Sequence, residues 1–169
     1  DQSITAEGTG SLVVTGLDGA AYDFGAIALA EGTGLLELGS ASLTLNPDTS
    51  FGGLGLVLAQ GQVLTGTGAQ LSGVSVSGQG AVRVTNFADA PAADYTGLSV
   101  AATAEQSGTV GFTGALGGVT VEQTDGAVLT LSAEAADNAT VGSAAGASST
   151  VTVTGLEQQL DGNFQGLSA

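Results

Sequence analysis

The chain has no Lys, His, Cys, Met or Trp, and its one cation is Arg83. Each absence removes a class of function. A single basic residue cannot neutralise a run of phosphates, which excludes nucleic-acid binding. It cannot hold an anionic membrane by polybasic attraction either. Without His or Cys there is no Ser-His-Asp triad, no thiol nucleophile, no haem ligand and no ordinary zinc site. Without Lys there is no Schiff base. Carboxylates, hydroxyls, amides and one guanidinium remain for chemistry, and no enzyme is expected. Aromatic residues make up 4%, too few for the girdles of an outer-membrane barrel. No stretch reads as a membrane helix of about 20 apolar residues.

What is present is acidic and apolar at once. Sixteen acids set a formal charge of −15 over 169 residues, yet 43% of the chain is hydrophobic. Disordered acidic chains have low hydrophobicity, so a folded domain is expected. Its residues are small: 29 Gly, 27 Ala, 20 Leu, 20 Thr, 16 Val and 15 Ser. Small side chains fill only a thin core at protein packing density.

Gly recurs every few residues, and each costs a helix about 1 kcal/mol against Ala. Residues 133–147, rich in Ala but broken by Gly142 and Gly146, are expected to form a loop or irregular strand. Residues 11–15, 81–85 and 150–154 alternate, or nearly so, as half-buried strands do. Shorter alternations occur at 43–45, 74–76, 119–121 and 129–131, with Gly, Asn, Asp or Ser between nearly all of them.

These strands repeat. Residues 12–17 (LVVTGL), 82–87 (VRVTNF) and 151–156 (VTVTGL) match one another, each followed by an acidic segment and a second apolar pair. The intervals from Val14 to Val84 and from Val84 to Val153 are nearly equal, and weaker copies lie within each. The pattern predicts an all-β fold: a right-handed parallel β-solenoid of about seven coils of roughly 23 residues. It covers residues 8–169, after a short N-terminal segment at 1–7. Val82 and Val84 point inward and Arg83 outward. The chain bends at Gly16, Asn86 or Gly155, where the backbone is permissive. Leu17, Phe87 or Leu156 then turns back to the core. The alternative is a β-sandwich of short antiparallel strands.

The VxVTGL and GLxV units resemble the degenerate β-solenoid repeats of bacterial surface and secreted proteins. These include adhesins, filamentous haemagglutinin-like proteins and autotransporter passengers. The resemblance implies a secreted or cell-surface structural or adhesive role, with self-association or other surface proteins as partners. It supplies no catalytic residues. The calcium-binding nonapeptide of related repeats is absent, and the nearest fragment, Gly52-Gly53-Leu54-Gly55, lacks the Asp.

Two sets of residues stand out as candidate contacts. Arg83 is expected to pair with an acid on a neighbouring coil, and is a natural contact point in any assembly. Asp18, Asp23, Asp89, Asp94 and Asp161 follow the matching strands, and would gather on one side of a rod if the units superpose. Calcium takes six to eight oxygen ligands, which makes these acids the candidate metal site of an acidic calcium- or glycan-binding module, the second functional reading. Phe24, Phe51, Phe87 and Phe112 are expected in the core. Outward Thr rows can bind ice on flat solenoids, but Thr15, Thr85 and Thr154 occur only once in each long interval. No regular Thr-x-Thr ladder is expected.

Overall fold

The computed structural model describes residues 5–6, 11–14, 28–29, 35–38, 42–47, 49, 51, 54–159 and 161–168. Every named strand pairing among them is parallel. Parallel neighbours cannot be hairpins, so the antiparallel sandwich is set aside. The chain winds as a β-solenoid of about five turns.

Its strands form sheets along the sides of the coil. A two-stranded sheet joins β1 (Thr5–Ala6) and β3 (Ala28–Leu29). A four-stranded sheet stacks β2 (Ser11–Val14), β4 (Leu35–Leu38), β6 (Gly55–Leu58) and β8 (Val76–Gly78). The longest sheet has six strands: β5 (Ser42–Thr44), β7 (Val63–Thr67), β9 (Ala81–Thr85), β10 (Ala101–Gln106), β12 (Val119–Gln123) and β14 (Thr140–Ser143). The third side carries β11 (Thr109–Phe112), β13 (Val128–Ser132) and β15 (Thr150–Thr154). Before β11, that side is made of single turns: α1 (Gly68–Leu71) packs on the 3-10 turn Phe87–Asp89, which packs on β11.

Successive partners in the six-stranded sheet are Leu43, Leu64, Val82, Ala102 and Val119. The rungs are thus about 20 residues apart, a short solenoid period. The expected coil of roughly 23 residues is too long for this sheet, because the three matching strands do not lie over one another. β2 belongs to the four-stranded sheet, β9 to the six-stranded and β15 to the three-stranded. Three turns of the ladder carry Val84 through Ala104 and Val121 to Val141, and Val153 lies one side further on. The interval from Val84 to Val153 is therefore three turns plus one side.

Period-two alternation puts the apolar residues inside. In β9, Val82 and Val84 are buried while Arg83 is exposed. β10 alternates along its whole length, burying Ala102, Ala104 and Gln106. The bends work as their residue types require. Asn86 (φ 49°) and Gly155 (φ 74°) both take the left-handed conformation that Gly and Asn enter most cheaply. Phe87 then turns inward and is fully buried. Leu156 does not, and is 47% exposed, since no described coil lies beyond its own. Residues 133–147, expected as a loop or irregular strand, contain the short strand β14, and depart from the expectation only at their start. Ala133–Ala136 form α2, a single helical turn capped by the Ser132 hydroxyl, which accepts from the Ala135 N–H. One turn is too short to suffer from the glycines that follow it.

Where the small residues leave room, aromatics fill it. Phe87 and Phe112 stack with centroids 5.0 Å apart, and Tyr95 lies 6.2 Å from each. All three are fully buried, and Phe51 is buried as well. Phe24 lies outside the described residues. The Tyr95 hydroxyl has no hydrogen-bond partner, and its burial pushes the phenol up to about 12. A group that stays protonated longer in the folded than in the unfolded state stabilises less as pH rises. Stability contributed by neutral Tyr95 is present below the unfolded value near 10 and declines above it, up to the folded value near 12. Ultraviolet titration of the native protein should show one tyrosine ionising well above the free phenol. Normal titration of both tyrosines without unfolding would refute this. Tyr95→Phe removes the unpaired hydroxyl and should stabilise by about 1 kcal/mol, read by chemical denaturation.

Candidate functional surface

Arg83 stands on the outer face of the six-stranded sheet. Its Nη2 donates to Glu105 Oε2 at 3.1 Å, on the adjoining strand β10. The expected pairing with a neighbouring-coil acid is thus present. Both side chains are more than half exposed, at 59% and 58%, so the pair is worth less than about 1 kcal/mol. Glu105 is also in register with Glu122 on β12, and like charges directly opposite repel. Arg83 offsets part of that repulsion. A double-mutant cycle with Arg83→Ala and Glu105→Gln should return a coupling below about 1 kcal/mol that shrinks with salt. A coupling of several kcal/mol would mean a buried pair and contradict the geometry.

A groove of about 270 Å³ opens beside the pair, lined in part by Arg83, Thr85, Asn86, Glu105 and Ser107. It holds one cation and one acid already joined to each other, so it offers no free charge to a ligand.

Among the described residues the calcium candidates do not gather. Asp18 and Asp23 lie outside the described residues. Asp89 ends the 3-10 turn after β9 and is exposed. Asp94 is exposed in the following loop, where Oδ1 accepts from the Thr96 hydroxyl at 2.7 Å and its N–H at 2.9 Å. These bonds hold its carboxyl below the usual value. Asp161 is exposed after β15. Because β9 and β15 lie on different sides, the acids that follow them do not superpose. Among the described residues, no group of three or more acids gathers as a metal would need.

The structure assembles two features that sequence reading missed. The first is a ladder of hydroxyls. Thr44, Thr65, Arg83, Thr103, Thr120 and Thr140 are partners in succession on the outer face of the six-stranded sheet. It is no Thr-x-Thr ladder, and it does not include the threonines compared in the sequence: Thr85 and Thr154 end strands of different sheets, and Thr15 lies outside the described residues. The row is single file and is broken by Arg83. The second is a buried polar corner. Gln106 and Gln123 are fully buried, and Gln123 Nε2 donates to Gln106 Oε1 at 2.8 Å. Gln106 donates to the Ser107 and Gly108 carbonyls, and the Ser149 hydroxyl donates to Gln123 Oε1. Buried amides are costly unless so satisfied, and this corner satisfies them across adjoining coils. Its signal was legible: Glu105-Gln106 recurs as Glu122-Gln123 one turn of this coil later.

No helix among the described residues is long and apolar enough to cross a membrane. Comparison with known proteins gives no match to a family, to a curated protein or to a solved structure.

Proposed function

We propose that the protein is a secreted or cell-surface structural element, adhesive or filament-forming, that associates with further copies of itself or with other surface proteins through its coil ends. Its role is architectural and not catalytic. The observation that carries this reading is the apolar face that the last described coil presents to a further coil, of this chain or of a partner. In the inner coils Val82, Val84, Tyr95 and Leu98 are at most 3% exposed. Their counterparts Val151, Val153, Phe164 and Leu167 are only partly buried, and Leu156 is 47% exposed. A coil cannot bury its own apolar face, and a stacked neighbour buries it. The charge of −15 keeps rod sides apart and leaves the ends as the place of contact.

The same reading extends the winding. We take it as right-handed, the hand of nearly all crossovers between parallel strands. The pairing of β2 with β4 and the bridge from Val141 to Leu167 add rungs beyond the six-stranded sheet, in keeping with about seven coils over the chain.

Electron microscopy and light scattering over a concentration series test the proposal. Rods that lengthen with concentration are expected, and Leu156→Asp should shorten them. A monodisperse monomer at high concentration would refute self-association.

A further inference from the structure

Residues 63–99 and 128–168 are built alike. α1 and α2 begin at a hydroxyl cap, Thr67 accepting from Gln70 N–H and Ser132 from Ala135 N–H. Both helical turns lead into a left-handed residue, Gly73 (φ 72°) and Asn138 (φ 56°). Those residues donate to the Asp94 and Asn163 carbonyls at 2.8 and 2.9 Å. Val76 donates to Gly97, and Val141 to Gly166, at 2.9 and 3.0 Å. Ser99 and Ser168 donate back to the Val76 and Val141 carbonyls. The Thr85 and Thr154 hydroxyls donate to the Gly66 and Leu131 carbonyls, each at 3.2 Å. At Gly97 and Gly166 an added Cβ would strike the Val74 and Ala139 carbonyls. Two constant offsets relate the stretches. The step from Val76 to Val141 holds for every partner from Gly66 to Val76, and the step from Gly97 to Gly166 for every partner from Thr85 to Ser99. Yet β7 and β9 run in the six-stranded sheet, while β13 and β15 run in the three-stranded one.

We propose that the chain contains a phase-shifting module, which winds three turns plus one side and fits any side of the solenoid. Adding or removing one module turns whatever lies beyond it by about one-third of a turn and preserves the stacking contacts. The module is thus a device for changing the length of the rod and the direction its distal surface faces. It depends on the fold alone and stands whether or not the rods assemble.

Segment exchange in the full chain tests it. One variant replaces residues 154–168 with residues 85–99, in phase. The other uses residues 88–102, the same length out of phase. Hydrogen exchange at the Asn138 and Val141 amides is read in both. The in-phase chimera should keep parental protection, because carbonyls equivalent to those of Asn163 and Gly166 return to the same places. The out-of-phase chimera should lose protection there by tenfold or more. Equal protection in the two chimeras, or its loss in both, overturns the proposal. Deleting residues 85–153, which joins Val84 to Thr154, is the second variant. It should still melt cooperatively with a parallel-β circular dichroism spectrum, and a non-cooperative melt would count against the module.

Discussion

Phe112→Ala is expected to cost about 3–5 kcal/mol, the range for removing a fully buried aromatic. Phe112 is 0% exposed and packs against both Phe87 and Tyr95. Apart from the aromatic rings, the core it belongs to is Val, Leu and Ala. Alanines cannot lean into a vacated ring. The flanking coils are also tied by backbone hydrogen bonds, so the cavity stays largely open and the lost contacts are not recovered. Stacked coils contact mainly their neighbours, so the damage should stay local. Urea denaturation should therefore show an earlier transition, split or broadened as the rod parts near β11. Val151→Ala is the control. Val151 is only partly buried, and its truncation should cost about 1 kcal/mol or less. Equal losses for the two variants would show that the aromatic stack is not the centre of stability.

Gly78→Ala should cost about 3 kcal/mol or more, the sum of a left-handed backbone and a close approach. Gly78 has φ 111°, a conformation that L side chains rarely adopt, and its added Cβ would strike the backbone of Leu58, its partner in β6. The Leu58 carbonyl accepts from both Gln79 and Gly80, at 2.8 and 3.1 Å. Moving that carbonyl weakens two bonds worth about 1 kcal/mol each, on top of about 1–2 kcal/mol for the left-handed backbone. Gly61 (φ 81°) has nothing within 4 Å of an added Cβ, so Gly61→Ala should show the backbone cost alone, about 1–2 kcal/mol. Thermal or chemical denaturation of both variants isolates the close approach. A Gly78→Ala loss no larger than that of Gly61→Ala would rule the contact out.

Local features were readable from the residues. Alternation placed β9, β12, β13 and β15 within a residue or two of their observed limits, because a half-buried strand must alternate. Asn86 and Gly155 marked the left-handed bends, because few other residues enter that region cheaply. Phe87 and Phe112 announced themselves as core, since large apolar rings gain most by leaving water. Arg83 was placed outward by its two valine neighbours, and found its acid on the next coil.

Stacking was not readable in the same way. The matching strands suggested that the units at Val14, Val84 and Val153 share a side, and the acids after them were expected to line up. Only the structure shows β2, β9 and β15 on different sheets, which scatters Asp89, Asp94 and Asp161 and brings five threonines into one row with Arg83. Glu105 escaped notice as the partner of Arg83 because the turn joining them was misjudged.

From the sequence alone came the all-β alternation, the bends, the apolar core types and the exclusions drawn from a single cation. Each depends on one residue or a few adjacent ones, so local sterics and charge suffice. The tertiary structure alone decided which strand lies over which, and hence what each outward side chain meets. Register is the sum of all the corners in a turn, and those corners vary, so that the step from Leu64 to Val82 is shorter than the step from Leu43 to Leu64. Val, Ala, Thr and Gly fit any side of the coil nearly equally well. Backbone hydrogen bonds and packing between neighbouring coils select one register, and that selection exists only once the chain is wound.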